Sequence, residues 1–178
     1  MTVLFADVRG FSDLAKQWRP PELVGMMNQF FQGATEVLLK HDACIDKFMG
    51  DQIMAVFGAP IPRPDHAARA LQAAIEMQKG ASALFHPEKG PLPLTIGIAI
   101  HTGMAIVGNV GSSRVKDFTA MGDTVNLAAH LQEHAGPGEV LVTKAVEAAL
   151  PGPMAGGEQR QVVVKGEVSP VVVRAIRP

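Results

Sequence analysis

The hydrophobic pattern opens on a strand. Residues 2–8 are β-rich and apolar on both faces, as in a strand covered from two sides. Ser12 and Asp13 then stand as caps for a short helix, and Pro20-Pro21 sit where a second helix begins. From Glu22 to Leu39 the large apolar residues fall at Leu23, Met26 or Met27, Phe30, Ala34 and Val37 or Leu38. Those steps of three and four predict an amphipathic helix. Two short apolar runs, 44–48 and 52–58, flank Met49-Gly50-Asp51 and predict a hairpin. Pro60, Pro62 and Pro64 make a stiff loop, after which Asp65 caps a helix from His66 to about Leu84, with Gly90-Pro91 closing the unit. Residues 94–100 and 104–110 are expected to form a second β pair joined at His101-Thr102-Gly103. A helix from Thr124 to His134 stops at Gly136-Pro137-Gly138. Strands at 139–142 and 161–164 flank a short helix, and the last strand, 170–176, starts at Pro170 and is placed at a sheet edge.

The order β–α–β–β–α–β through residue 110 predicts an α+β fold: a ferredoxin-like βαββαβ core, two helices on one face, with an additional helix and strands after it. At 178 residues the chain is expected to be one domain, 1–178. It begins inside its own core, so we expect it to be cut from a longer multidomain protein. Sixteen basic against 17 acidic residues give a formal charge of −1, which argues against a nucleic-acid partner. The single cysteine, Cys44, forbids an intrachain disulfide and fits a reducing compartment. Apolar runs such as Val171-Val172-Val173 fall far short of the roughly 20 residues of a membrane helix, and no basic n-region opens the chain. The expectation is a cytoplasmic domain without membrane contact of its own, whatever anchors its parent.

Two aspartates stand where chemistry is done. Asp7 ends the first strand and Asp51 lies in the hairpin tip. If those strands are neighbours, the carboxylates converge, and two carboxylates with few other ligands suit Mg²⁺ or Mn²⁺. Gly10 lets backbone N–H groups approach an anion near the following helix start. Taken singly, Asp7 reads more readily as a helix cap and Asp51 as a turn residue.

Five segments, in order, carry a family resemblance. Phe5-Ala-Asp-Val-Arg-Gly-Phe-Ser12 resembles the first metal segment of the class III nucleotidyl cyclases, and Lys47-Phe-Met-Gly-Asp51 their Lys-x-x-Gly-Asp hairpin. Gly97 to Gly111 is similar to their central hairpin. Phe118-Thr-Ala-Met-Gly-Asp-Thr-Val-Asn-Leu-Ala-Ala129 resembles their second substrate segment, and Lys165-Gly166 their late lysine turn. The resemblance implies a homodimer that shares its active sites between protomers and converts ATP to 3′,5′-cyclic AMP and pyrophosphate. Asp7 and Asp51 would hold two divalent cations, Mg²⁺ or Mn²⁺. Val8, Gly10, Phe11 and Lys165 would contact the substrate. Lys47 matches the adenine-reading lysine and Thr119 its partner; GTP-specific members usually carry an acid at the lysine. Threonine there resembles a subclass that includes bicarbonate-responsive cyclases, which adds bicarbonate as a candidate activator.

Asn126 matches the asparagine that orients the ribose. One helical turn on, the family carries an arginine at the transition state, and this chain has His130. Arginine is always charged and presents a fork of donors, which an imidazole does not. A slower cyclase is expected, the alternative being a cyclase-like module that dimerises and binds nucleotide without turnover. His130-Leu-Gln-Glu133-His134 also fits a short zinc-peptidase pattern, with Glu139, Glu147, Glu158 or Glu167 as the third ligand. Arg9 and Arg114 are candidate phosphate contacts. His41, His66, His86 and His101 show no ligand spacing, and Met26, Met27 and Trp18 are expected to pack.

Overall fold

The computed structural model describes residues 1–86, 90–91 and 94–178. The elements are β1 (Thr2–Val8), α1 (Phe11–Gln17), α2 (Pro20–Lys40), β2 (Cys44–Met49), β3 (Gln52–Phe57), α3 (His66–Ser82), β4 (Phe85–His86), β5 (Gly90–Pro91), β6 (Ile96–Thr102), β7 (Ile106–Gly111), β8 (Lys116–Met121), α4 (Asp123–Glu133), β9 (Val140–Thr143), α5 (Lys144–Ala148), β10 (Glu158–Val162) and β11 (Val171–Ile176). One sheet has the order β10-β11-β9-β6-β1-β3-β2, while β4–β5 and β7–β8 are separate pairs. Its β6-β1-β3-β2 portion is antiparallel throughout, the ferredoxin-like arrangement expected from the element order, and β9 joins β6 in parallel.

Alternation along β1 explains why it reads as apolar on both faces. Leu4, Ala6 and Val8 join Ile53, Phe57 and Ile98 under α2 and α3. Val3 and Phe5 join Met54, Val56, Val125 and Ala128 on the opposite face, beneath α4. The predicted stripe of α2 is the buried one: Met26, Met27, Phe30, Ala34 and Leu38. The sheet face of α3 is mostly alanine, Ala67, Ala70, Ala73 and Ala74 among them, which lets that helix lie close to the strands. Among the described residues no helix is long and apolar enough to cross a membrane.

Several expectations are corrected. Residues 104–110 do not pair with the preceding strand, because both edges of β6 are taken, by β1 and by β9. Instead β7 pairs with β8, a strand that the pattern Lys-Asp-Phe-Thr-Ala-Met did not predict. His101 therefore lies within β6 and not in a turn; its ring is half-buried, its Nδ1 is 2.9 Å from Thr143 Oγ1, and burial pushes its pKa down. β11 is not an edge strand: Pro170 precedes it, and β10 lies outside it, starting at Glu158. Gly10, with φ 73°, occupies the cap position of α1, so Ser12 and Asp13 fall inside its first turn. Asp65 occupies the cap position of α3 as expected, but its side chain makes no capping bond and is instead held by Arg69 Nε at 2.7 Å. The His86 side chain lies outside the described residues.

Candidate active site

The register of the sheet gathers the first group of residues. Asp7 of β1 stands opposite Gln52 of β3, and Asp51 is the turn residue just before Gln52. Gly50, at φ 64°, makes that turn possible without strain. The two carboxyls lie close enough to act on each other's protonation. Burial, then the interaction with the Asp7 carboxyl and its charge, push the Asp51 pKa up to about 6, against the opposing charge of Arg9. Two acids forced together in this way fit a small hard cation with open coordination positions. Among the described residues no three His, Cys, Asp or Glu side chains converge, so main-chain oxygens, water or substrate must complete any such site.

Arg9 is not free to meet a phosphate. Its Nη2 lies 3.2 Å from Asp7 Oδ2, and its buried Nε and Nη2 lack a well-aligned hydrogen bond. Gly97 admits it: a Cβ there would stand 2.7 Å from Arg9 Nε. Val8 is buried and offers a ligand only its main chain, while Phe11 is half-buried and packs against the core. Arg114 lies in the exposed turn between β7 and β8.

A second group forms between β2 and β8. Thr119 Oγ1 donates to Asp46, 2.8 and 3.0 Å from the two carboxylate oxygens, and Ala120 N–H donates to the same carboxylate at 2.9 Å. The Lys47 ammonium is 3.3 Å from Asp46 and 3.8 Å from Asp117. Lys47 and Thr119, paired by resemblance alone, are thus neighbours across one buried acid. Sequence reasoning missed Asp46. Its signal was a break in alternation beside Lys47, since an acid falls where β2 should turn inward.

The third group lies on α4. Asn126 and His130 are one turn apart and, with Asp123, Lys165, Gly166 and Glu167, line a cleft of about 320 Å³. The Lys165-Gly166 turn is closed by Glu167 N–H donating to Val164 at 3.1 Å, with Gly166 at φ 92°. His130 Nδ1 faces Glu133 Oε1 at 3.6 Å. Among the described residues no third His, Cys, Asp or Glu side chain groups with His130 and His134, so the zinc-peptidase pattern gains no support. Gln132, fully buried on the same helix, accepts from Gln52 at 3.0 Å and donates to the Gly97 carbonyl at 3.4 Å. Sequence reasoning missed this tie between α4 and the Asp51 hairpin, because a buried glutamine is invisible in a helical stripe.

The carboxylate pair does not line the α4 cleft. Fold and side chains together define a ferredoxin-like α+β domain with an acidic pair at one place and an amide, imidazole and ammonium at another. The chain belongs to the adenylate and guanylate cyclase catalytic domain family, whose model matches residues 1–174. Adenylate cyclase 1 of Rhizobium meliloti (strain 1021) is 34% identical over 134 residues, 74% of this chain and 20% of that protein. An adenylate cyclase of Mycobacterium tuberculosis (strain ATCC 25618 / H37Rv) is 33% identical over 166 residues, 93% of this chain and 37% of that protein. The chain therefore spans well under half the length of these curated relatives. Among solved structures, the guanylyl cyclase Cya2 matches with a TM-score of 0.92 at 32% identity, covering 98% of this chain and 89% of that one.

Proposed function

We propose that this domain is the catalytic part of an adenylate cyclase, working as a homodimer on ATP. The observation that carries the reading is the Asp7–Asp51 pair, whose mutual repulsion a bound cation relieves. Bound there, two divalent cations, Mg²⁺ or Mn²⁺, would polarise the α-phosphate and acidify the ribose 3′-hydroxyl. The 3′-oxygen attacks the α-phosphorus in line, the bond to the bridging oxygen breaks, and pyrophosphate leaves. The Asn126 amide orients the ribose, while His130 and Lys165 donate to the triphosphate. Lys47 donates to the adenine N1 acceptor and Thr119 accepts from the exocyclic amine. Little covalent work falls to the protein; it supplies position and charge.

The separation of the acidic pair from the α4 cleft supports sharing of each site between two copies. So does an apolar surface on and beside the β7–β8 ribbon: Met104, 94% exposed, with Ile106, Val115, Phe118 and Met121. A second copy would cover it. The lone thiol of Cys44 suits the reducing cytoplasm. Bicarbonate as an activator rests on the subclass resemblance of Thr119 alone; on that reading its addition should raise the rate.

The test is product formation from ATP, with GTP alongside, in Mn²⁺ and then Mg²⁺. Cyclic AMP from the wild type and none from Asp51→Ala is the expected result. His130 favours one second reading, a dimeric module that binds nucleotide without turnover; nucleotide bound by an intact dimer with no cyclic product would establish it.

A further inference from the structure

Strand β2 slips in register at one place. Ile45 pairs with Ala55 and Lys47 with Met54, so Asp46 is an extra residue without a partner on β3. Such a bulge re-aims a side chain out of the strand's alternation. Here it sends the carboxylate, 3% exposed, onto β8, where it takes the Thr119 hydroxyl, the Ala120 N–H and the Lys47 ammonium. Three donors on one buried acid make a built arrangement with a fixed polarity.

We propose that Asp46 is a specificity-determining positioning residue: it sets the hydrogen-bond polarity that Lys47 and Thr119 present to a purine. The proposal rests on the adenylate cyclase reading. Thr119 has one hydroxyl proton. An ionised carboxylate only accepts, so that proton is committed to Asp46, and the hydroxyl oxygen can only accept from anything else. The lysine can only donate. A purine edge therefore meets one acceptor beside one donor. Adenine offers the complement, an amine donor at C6 and an acceptor at N1. Guanine in the same pose offers the reverse, a carbonyl at C6 and an N–H at N1, and both polar groups are left unpaired. Sites that leave buried polar groups unpaired discriminate strongly.

Replacing the acid by its amide undoes this without changing its shape. In Asp46→Asn the oxygen that takes the Ala120 N–H is kept, and the amide nitrogen replaces the other oxygen, 3.0 Å from Thr119 Oγ1, as a donor that the hydroxyl can accept. The threonine proton is then no longer committed to a group that only accepts, and turned toward the ligand it suits the C6 carbonyl of guanine. The experiment measures kcat/KM for ATP and for GTP, with melting temperatures, in wild type and Asp46→Asn. We expect the ATP-to-GTP ratio to fall by about tenfold or more, with GTP turnover rising in absolute terms. An unchanged ratio, with both substrates losing equally, would overturn the proposal and leave Asp46 a structural acid. If the wild type forms no cyclic product, the reaction assigned above fails by itself. The ratio is then read from equilibrium binding of ATP and GTP to the same two proteins: a tenfold fall supports the role of Asp46, and an unchanged ratio overturns it. If Asp46→Asn does not fold, the wild type is given the triphosphate of purine riboside, which lacks any group at C6. A loss of about tenfold or more against ATP, in turnover or binding, is expected; parity would sink the claim.

Discussion

Asp51 is the residue on which electrostatics and function pull apart. Burial and the charge of Asp7 raise its folded pKa from 3.8 to about 6, above its unfolded value. The folded state therefore holds the proton more tightly, and the stability linked to this group is lost as pH rises across that window. At pH 7.5 the cation-free protein carries the full penalty. Asp51→Asn should then melt higher than wild type in a chelator, by about 2–4 °C for each kcal/mol relieved, while losing cyclic product. A variant that melts no higher in calorimetry would show that the pair is not in conflict. His130 makes the opposite case, a residue whose replacement should gain function. His130→Arg puts a longer, permanently charged fork one turn from Asn126, and kcat should rise about tenfold or more with KM moving less. Steady-state kinetics with unchanged kcat would remove the imidazole from the transition state.

Among the elements, the helix α4 has the most to position, since it carries Asn126 and His130 and is tied through Gln132 to the neighbour of Asp51. Gln132→Leu keeps bulk but leaves the Gln52 amide without its acceptor, a cost of about 1–3 kcal/mol. The melting temperature should fall, and the Mn²⁺ concentration for half-maximal rate should rise; a stability loss with an unmoved Mn²⁺ curve would make the tie merely structural. Elements whose information is local could be read from sequence. The stripe of α2 and the two-sided burial of β1 were both evident, because periodicity is a property of neighbouring residues. Pairing is not local. Nothing in residues 104–110 announces that β6 already has a neighbour on each edge, and Pro170 says only where β11 begins. The same limit hid part of the site. Asp7, Asp51, Asn126, His130, Lys47, Thr119 and Lys165 stand in motifs, whereas Asp46 and Gln132 matter only through partners 73 and 80 positions away.

For the whole molecule, Asp7 and Asp51 are not among the residues that line the α4 cleft, and the proposed homodimer would join the two groups across its two copies. In a dimer, Asp51→Ala spoils the half that one protomer gives to one site, and Asn126→Ala spoils the half it gives to the other. A mixed dimer of the two variants thus has one site spoiled twice and one intact. With random mixing, half the dimers are mixed, and about a quarter of wild-type activity should return from two inactive proteins. Cyclic AMP assays on coexpressed variants check this, and no recovery would mean that each chain holds a complete site.

On the homodimer reading, the same division would give the domain a dependence on proximity. Dilution would separate the two halves of each site, so the output would fall faster than the amount of protein. Anything that fastens two copies together raises their effective concentration toward the millimolar range, provided its length matches the span. Whatever sets the distance and angle between two copies would then set the rate, and a homodimeric cyclase of this design would work as a coincidence detector whose signal is a small molecule.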